Sequence, residues 1–378
     1  MRQAGYPAAR SVAPVIRTHL AAHGDAAHRS GVREVGPLPD VDAVEELIDA
    51  GFWASLQKEE GRAPRISLAY IPPERAGLPM CFERPLPLDP HDLSKLAPAV
   101  ERPGLHLGVW PDGDGLRVWG TTRLVPVSTL VLEVAEPGLL VVKYRRGDEF
   151  DKFGTIAVLQ GDRVMVVDEG AASLPDCPAL LTSLLGFDAP APTAGPASVL
   201  ILLAISMRAH GRGGSLIIVP SDSDAWHASA ALPIPYRVAP YGELSALMRA
   251  GEGERSRTAW RDALGRAVDA VAGLTAVDGA TVLNDRHELL AFGVKLVRRR
   301  GSPAVERVAL TAPVVGDEAQ VVEPSALGGT RHLSAAQFVH DQRDALALVA
   351  SQDGRFTVFA WSPCENMVHA HRVETLLM

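Results

Sequence analysis

Hydrophobic and polar positions divide the chain into two stretches with different rhythms. In the first, Val44, Leu47, Ile48, Phe52 and Leu56 recur at helical spacing, which predicts an amphipathic helix opened by Pro39-Asp40 and stopped at Gly61. The period then drops to two. Ile66, Leu68 and Tyr70 alternate until Pro72-Pro73, as in a strand ended by residues that cannot extend a ladder. Leu105–Trp110 and Leu116–Trp119 flank Pro-Asp-Gly-Asp-Gly, which predicts a hairpin with a slightly long loop. Four more β-like runs follow, at Thr129–Val134, Leu139–Tyr144, Thr155–Leu159 and Arg163–Val167. Residues 33–187 are thus expected to form a β-rich α+β domain with one or two helices.

The stretch 188–196 carries three prolines in nine residues and reads as a linker, because neither helix nor sheet runs through such a segment. Beyond it helix and strand alternate. Ala197–Ala209 is apolar on nearly all sides, the pattern of a buried helix. Gly211-Arg-Gly-Gly214 stops it, and Ser215–Val219 is a short apolar strand ended by Pro220. From Arg257 to Leu274, Trp260, Leu264, Val268 and Val271 share one helical face. Strands are expected at Ala280–Leu283 and Glu288–Leu296. A second pair, Ala345–Ala350 and Arg355–Trp361, closes on Ser351-Gln-Asp-Gly354, a strong turn signal. A helix over Ser334–Asp344 is expected to start right after Thr330-Arg331-His332. Residues 197–378 therefore read as an α/β domain, a mixed sheet flanked by helices.

Composition changes this picture at its margins. The 378 residues carry 37 basic and 45 acidic side chains, a net charge of -8, which disfavours a duplex nucleic-acid partner. Three well-separated cysteines, Cys81, Cys177 and Cys364, argue against a disulfide framework and for a reducing cytoplasm. No apolar run approaches the ~20 residues that span a bilayer, so no membrane partner is expected. Residues 1–32 are rich in Ala and Arg, have no acid before Asp25 and lack a signal-peptide core; they are expected to be a disordered extension.

The common catalytic signatures are absent. There is no Gly-Lys dipeptide for a Walker loop, no H-E-x-x-H and no G-x-S-x-G, and Gly211-Arg-Gly-Gly214 does not meet the dinucleotide fingerprint. Asp112-Gly-Asp-Gly115 lacks the frame of a calcium loop and reads as a hairpin turn. His369-Ala-His371 would place two imidazoles on one strand face, with no third metal ligand in view. Two segments are more specific. Asp278-Gly279-Ala280 sets a carboxylate and a glycine at a helix-to-strand junction, which suits a metal or phosphate approached by backbone, although taken alone the segment reads first as a plain Asp-Gly turn. Gly328-Gly-Thr-Arg-His332 precedes a helix, where free N–H groups, a hydroxyl, a guanidinium and an imidazole together suit an anion.

The ordered set formed by Asp278-Gly-Ala280, Gly329-Thr-Arg-His332 and the strand pair around Ser351–Gly354 resembles the diadenylate cyclase (DAC) domain, over about residues 195–362. The helix-glycine-strand opening around Gly211–Gly214 is similar too. The resemblance implies that Asp278 is the catalytic residue and holds Mg or Mn. It implies that Gly279 and Ala280 bring backbone to the nucleotide, and that Gly329, Thr330, Arg331 and His332 bind ATP phosphates. It also implies a homodimer or higher homo-oligomer, because two sites must face each other to join two ATP molecules into cyclic di-AMP.

One position departs from the family. Leu333 stands where active cyclases have a second arginine, and an apolar side chain cannot hydrogen-bond a phosphate. A retained binding site with an altered fringe resembles the divergent DAC-like domains proposed as nucleotide sensors, the DACNV type. The helix Val44–Leu56 with its strand to Ile71, and Leu116-Arg-Val-Trp-Gly120, are similar to that group as well. Three readings follow. The chain is a cytoplasmic sensor binding an adenine nucleotide or cyclic dinucleotide, or an active diadenylate cyclase, or a scaffold with an idle site. Leu333 favours the first.

Overall fold

The computed structural model describes residues 5–58, 63–101, 104–113, 115–147, 153–167, 197–251, 254, 258–316 and 319–377. The chain forms two compact units, Met1–Val167 and Asp168–Met378. The expected linker 188–196, the expected boundary at 187, the helix stop Gly61 and Cys177 lie outside the described residues.

The first unit is an eight-stranded sheet in the order β2-β4-β3-β1-β5-β6-β7-β8. Its strands are β1 (Ile66–Tyr70), β2 (Met80–Pro87), β3 (His106–Asp112), β4 (Gly115–Thr122), β5 (Leu130–Glu136), β6 (Leu139–Arg145), β7 (Phe153–Gln160) and β8 (Arg163–Val166). β1 and β3 pair in parallel, and the other neighbours are antiparallel. Helices α1 (Pro7–Arg29), α2 (Val41–Ser55) and α3 (Pro90–Val100) pack on the sheet. The Asp40 carboxylate caps α2 by accepting from the Ala43 N–H at 2.7 Å, a contact worth about 1 kcal/mol. Val44, Leu47 and Ile48 of α2 join Leu68, Leu107, Leu132 and Leu140 in one buried cluster. At ~1.5–3 kcal/mol for each fully buried Leu or Ile, this face is a substantial part of what holds the unit together. A Cβ on Gly51 would lie 2.7 Å from Leu132 Cδ2, so glycine lets α2 settle onto β5.

The amino-terminal segment corrects the sequence reading. Residues 7–29 form α1, with Val12, Ala13, Ile16 and Leu20 buried along one face. Tyr6 stacks on Phe52 with ring centres 3.7 Å apart and donates its hydroxyl to the Gly161 carbonyl. The buried stripe is half alanine, so its apolar period is faint against an Ala- and Arg-rich background. Strand β2 and helix α3 are further additions to the predicted set.

The second unit is a nine-stranded mixed sheet in the order β10-β12-β11-β9-β15-β16-β17-β13-β14. The strands are β9 (Gly214–Val219), β10 (Tyr236–Tyr241), β11 (Ala280–Asn284), β12 (Leu289–Val294), β13 (Val308–Thr311), β14 (Gln320–Val322), β15 (Leu346–Ala350), β16 (Phe356–Ser362) and β17 (Met367–Arg372). β9 pairs in parallel with β11 and antiparallel with β15. Helix α7 (Thr330–Asp341) covers one face, where its Ala335, Ala336, Phe338 and Val339 meet Ile217, Val282, Ala347 and Phe359. The alternate positions Leu216, Ile218 and Leu348 are equally buried and point to the other face, where α4 (Ala197–Ala209) and α6 (Thr258–Leu274) pack. A short α5 (Glu243–Met248) precedes α6. The expected α/β class holds, with a β-rich unit ahead of a helix-flanked mixed sheet.

Candidate functional site

Three loops meet at one end of the second sheet because of strand register. Ala280 of β11 pairs with Ser215 of β9, and Gly214 of β9 pairs with Ala350 of β15. The start of β11, the start of β9 and the end of β15 are therefore level. The Asp278-Gly279 loop and the Ser351–Gly354 turn flank the Gly211–Gly214 loop, about 10 Å apart at two strand spacings. Helix α7 runs back along β15 and begins at this same end.

The start of α7 corrects a second expectation. The helix includes Thr330, Arg331 and His332 rather than following them. Gly329 is extended at φ -73°, ψ -166°, and no side chain caps the helix. The N–H groups of Thr330 and Arg331 are left to another acceptor, and the dipole end of the helix is positive. The His332 N–H already reaches back to the Gly329 carbonyl at 3.0 Å. A cavity of about 240 Å³ opens here, lined by Gly329–His332 and by Val349–Gln352.

The charge balance of this cavity is positive. Thr330 is exposed and Arg331 half-buried, whereas His332 is 3% exposed. Burial lowers the His332 pKa, Asp353 opposes that shift, and Arg372, Arg355 and Arg331 add to it. The imidazole is therefore neutral at physiological pH and offers at most one N–H. Its Nε2 lies 3.5 Å from the Thr357 hydroxyl. Arg355 pairs with Asp353 at 3.3 Å. The Asp353 carboxyl is held below the usual range, chiefly by a hydrogen bond from Ser351 and despite a small burial penalty.

Asp278 is exposed at the same end of the sheet but outside the cavity lining. Gly279 adopts φ +108°, and a Cβ there would stand 2.5 Å from the Gly293 carbonyl carbon. The close approach that demands glycine is thus made to β12. Ala280 is buried as the first residue of β11. Among the described residues, no three His, Cys, Asp or Glu side chains group closely enough to hold a metal ion. His369 and His371 do share a face of β17, but His369 pairs with Glu365 at 2.8 Å and His371 with the Thr311 hydroxyl at 2.7 Å.

The structure thus gathers Gly329, Thr330, Arg331 and His332 into one cavity and sets Asp278, Gly279 and Ala280 beside it, across β9. Sequence reasoning missed Ser351 and Gln352 as lining residues. The turn signal at 351–354 was visible, but which side chains it would turn inward was not. The far end of α7 carries no part of this cavity; there the Arg299 N–H donates to buried Asp341 at 2.7 Å.

Fold and site together define an α/β unit with a positively charged cavity at the start of α7, preceded in the chain by a β-rich unit. Comparison with known proteins adds to this on the amino-terminal side. Residues 33–123 match the family described as "Probable sensor domain DACNV", about a quarter of the chain. The matched segment lies wholly in the first unit and spans α2, α3 and β1–β4, including Val44–Leu56 and Leu116–Gly120. It supports a sensor role. No curated protein matches the chain. Among the described residues, no helix is long and apolar enough to cross a membrane.

Proposed function

We propose that this protein is a cytoplasmic nucleotide sensor whose second unit binds the phosphates of an adenine nucleotide or cyclic dinucleotide. The observation that carries the reading is the uncapped start of α7. It presents free N–H groups, the Thr330 hydroxyl and the Arg331 guanidinium to a cavity shared with Ser351. A helix N-terminus with a guanidinium beside it is suited to phosphate oxygens. At about 240 Å³ the cavity is smaller than the ~300–1,000 Å³ of typical drug-sized ligand pockets. It has room for phosphate groups.

Diadenylate cyclase activity is the second reading, favoured by Asp278 standing at the same end of the sheet. Mg or Mn would be held there by one carboxylate and by the nucleotide's own phosphates, a usual arrangement for Mg²⁺. The metal would neutralise charge on the triphosphate. Two such sites would have to oppose each other in a homo-oligomer. Leu333 weighs against it: the side chain is 46% exposed, outside the cavity lining, and brings no donor where a second arginine would stand.

Incubation with ATP and Mg²⁺ or Mn²⁺, followed by chromatography and mass spectrometry, separates the readings. A sensor leaves ATP intact yet binds it or cyclic di-AMP in calorimetry, and Arg331→Ala weakens that binding by about 1.5–3 kcal/mol, as for a hydrogen bond to a charged group. Cyclic di-AMP that disappears in Asp278→Asn would establish the enzyme instead. Affinity unchanged in Arg331→Ala would remove the phosphate assignment.

A further inference from the structure

The glycine loop between α4 and β9 has no role in the reading above, yet it is packed against both candidate motifs. On one side, a Cβ at Gly214 would come within 2.6 Å of the Thr275 carbonyl oxygen and hydroxyl, three residues before Asp278. On the other, a Cβ at Gly213 would stand 3.1 Å from Arg331 Nη1, 3.2 Å from the Ala350 carbonyl oxygen and 3.3 Å from Gln352 Cγ. The guanidinium of Arg331 therefore rests against bare backbone. Gly213 has φ +70°, a conformation that side-chain-bearing residues rarely adopt.

The loop is also held from both sides by hydrogen bonds. The Arg212 N–H donates to His210 Nδ1 at 3.1 Å, and His210 Nε2 lies 3.1 Å from the Thr275 hydroxyl. That hydroxyl donates onward to the Ala272 carbonyl at 2.7 Å, so the imidazole's second nitrogen is the donor. Burial and the nearby Arg212 lower the His210 pKa, in keeping with a neutral ring that accepts at one nitrogen and donates at the other. Across the cavity, the Gln352 amide donates to the Arg212 carbonyl at 3.3 Å, tying the 351–354 turn to the loop.

We infer that Gly213 and Gln352 are positioning residues that seat the Arg331 guanidinium for anion binding. This deepens the phosphate reading and rests on it. Gly213 leaves the space in which the guanidinium lies, and Gln352 fixes the loop that forms its floor. Arg331 is a long, flexible side chain, and its geometry toward a ligand is set only where its end is confined. An added methyl at Gly213 displaces Nη1 more easily than it displaces the Ala350 backbone. The affected quantity is the direction in which the guanidinium points.

The test is a double-mutant cycle on the full chain, with ATP as probe and calorimetry as readout. Gly213→Ala is expected to weaken ATP binding on the order of tenfold, the scale of one charge-assisted hydrogen bond. In an Arg331→Ala background the same change is expected to alter affinity by less than about twofold, since close residues couple and a shared partner has been removed. Equal losses in both backgrounds would make the glycine merely structural and overturn the inference, as would no loss in the wild-type background. Gln352→Met, which keeps the stem and loses the amide, carries the same cycle if Gly213→Ala does not fold. Phenylglyoxal labelling of Arg331, followed by mass spectrometry, provides a readout without ligand. Slower labelling in the wild type than in the variant is expected. If the wild type binds no ATP, the nucleotide reading falls, and equal labelling rates would then overturn the seating of Arg331 separately.

Discussion

His371 makes the second unit sensitive to acid, because its imidazole is neutral inside the sheet and protonated in the unfolded chain. The side chain lies on β17, buried to 5% exposure, with Nδ1 2.7 Å from the Thr311 hydroxyl on the neighbouring strand and the His369 ring 5.7 Å away. Burial, and secondarily His369, push its pKa from 6.5 to about 3. The folded protein thus holds a neutral imidazole, whereas the unfolded chain takes up a proton as pH falls through 6.5. Stability from this group is complete above the unfolded value and is lost on acidification down toward the folded one. Between about pH 7.5 and pH 5 the loss comes to about 2 kcal/mol, at 1.36 kcal/mol per unit of pKa difference expressed. Hydrogen exchange read over Met367–Arg372 reports the opening free energy of β17 without requiring both units to unfold together. His371→Gln, which does not titrate, will be less stable than the wild type near neutrality but will have a shallower pH dependence, by about those 2 kcal/mol. Identical pH dependence in the wild type and His371→Gln would refute the argument.

Two other substitutions probe the frame of the site. Gly279→Ala forces a Cβ to 2.5 Å from the Gly293 carbonyl carbon at φ +108°, where two backbones must part. A loss of about 2–4 kcal/mol is expected from overpacking and conformational strain together, measured as weaker exchange protection across β11 and β12. A change below about 0.5 kcal/mol, the level of an ordinary surface substitution, would show that the contact yields. Asp341 is the buried anchor of α7's far end, accepting from the Arg299 N–H at 2.7 Å, from Gln337 at 3.0 Å, from His340 at 3.3 Å and from Ser302. Burial alone would raise its pKa, but these donors together hold it below the usual range. Asp341→Asn turns an acceptor into a group that also donates, at an expected cost of about 2–3 kcal/mol, read as lower exchange protection in α7. Retained protection there would mean that the donors find water instead.

The elements that were legible in the sequence are those whose burial follows a clear period. Helix α2 and strands β1, β5, β6, β7 and β8 lie close to their predicted spans, because their apolar residues are large and repeat at 3.6 or 2 positions. α1 was missed because half of its buried stripe is alanine, which blurs the period of Val12, Ile16 and Leu20, and β2 because it is an edge strand with every residue exposed or half-exposed. Short strands β13 and β14 have too few residues to show a period. At the site, the glycines, the hydroxyl and the arginine of Gly328–His332 announced themselves by residue type. Ser351 and Gln352 did not, since a turn signal says nothing of what the turn faces.

By itself the sequence determined the two successive domain classes, a helix downstream of the Gly328-Gly329 pair, and the set of side chains able to meet an anion. Each of these depends on neighbours along the chain: periodicity, turn chemistry, the free N–H groups of a first helical turn. Tertiary structure alone decided which of them act together. Register across β11, β9 and β15 set Asp278 and Arg331 on opposite sides of one glycine loop. Burial made His332 a neutral ring in the cavity wall, and packing against Gly293 and Arg331 explained why Gly279 and Gly213 are glycines. Those are contacts between residues some fourteen to over a hundred positions apart, and a linear pattern carries no record of which distant backbone will come close.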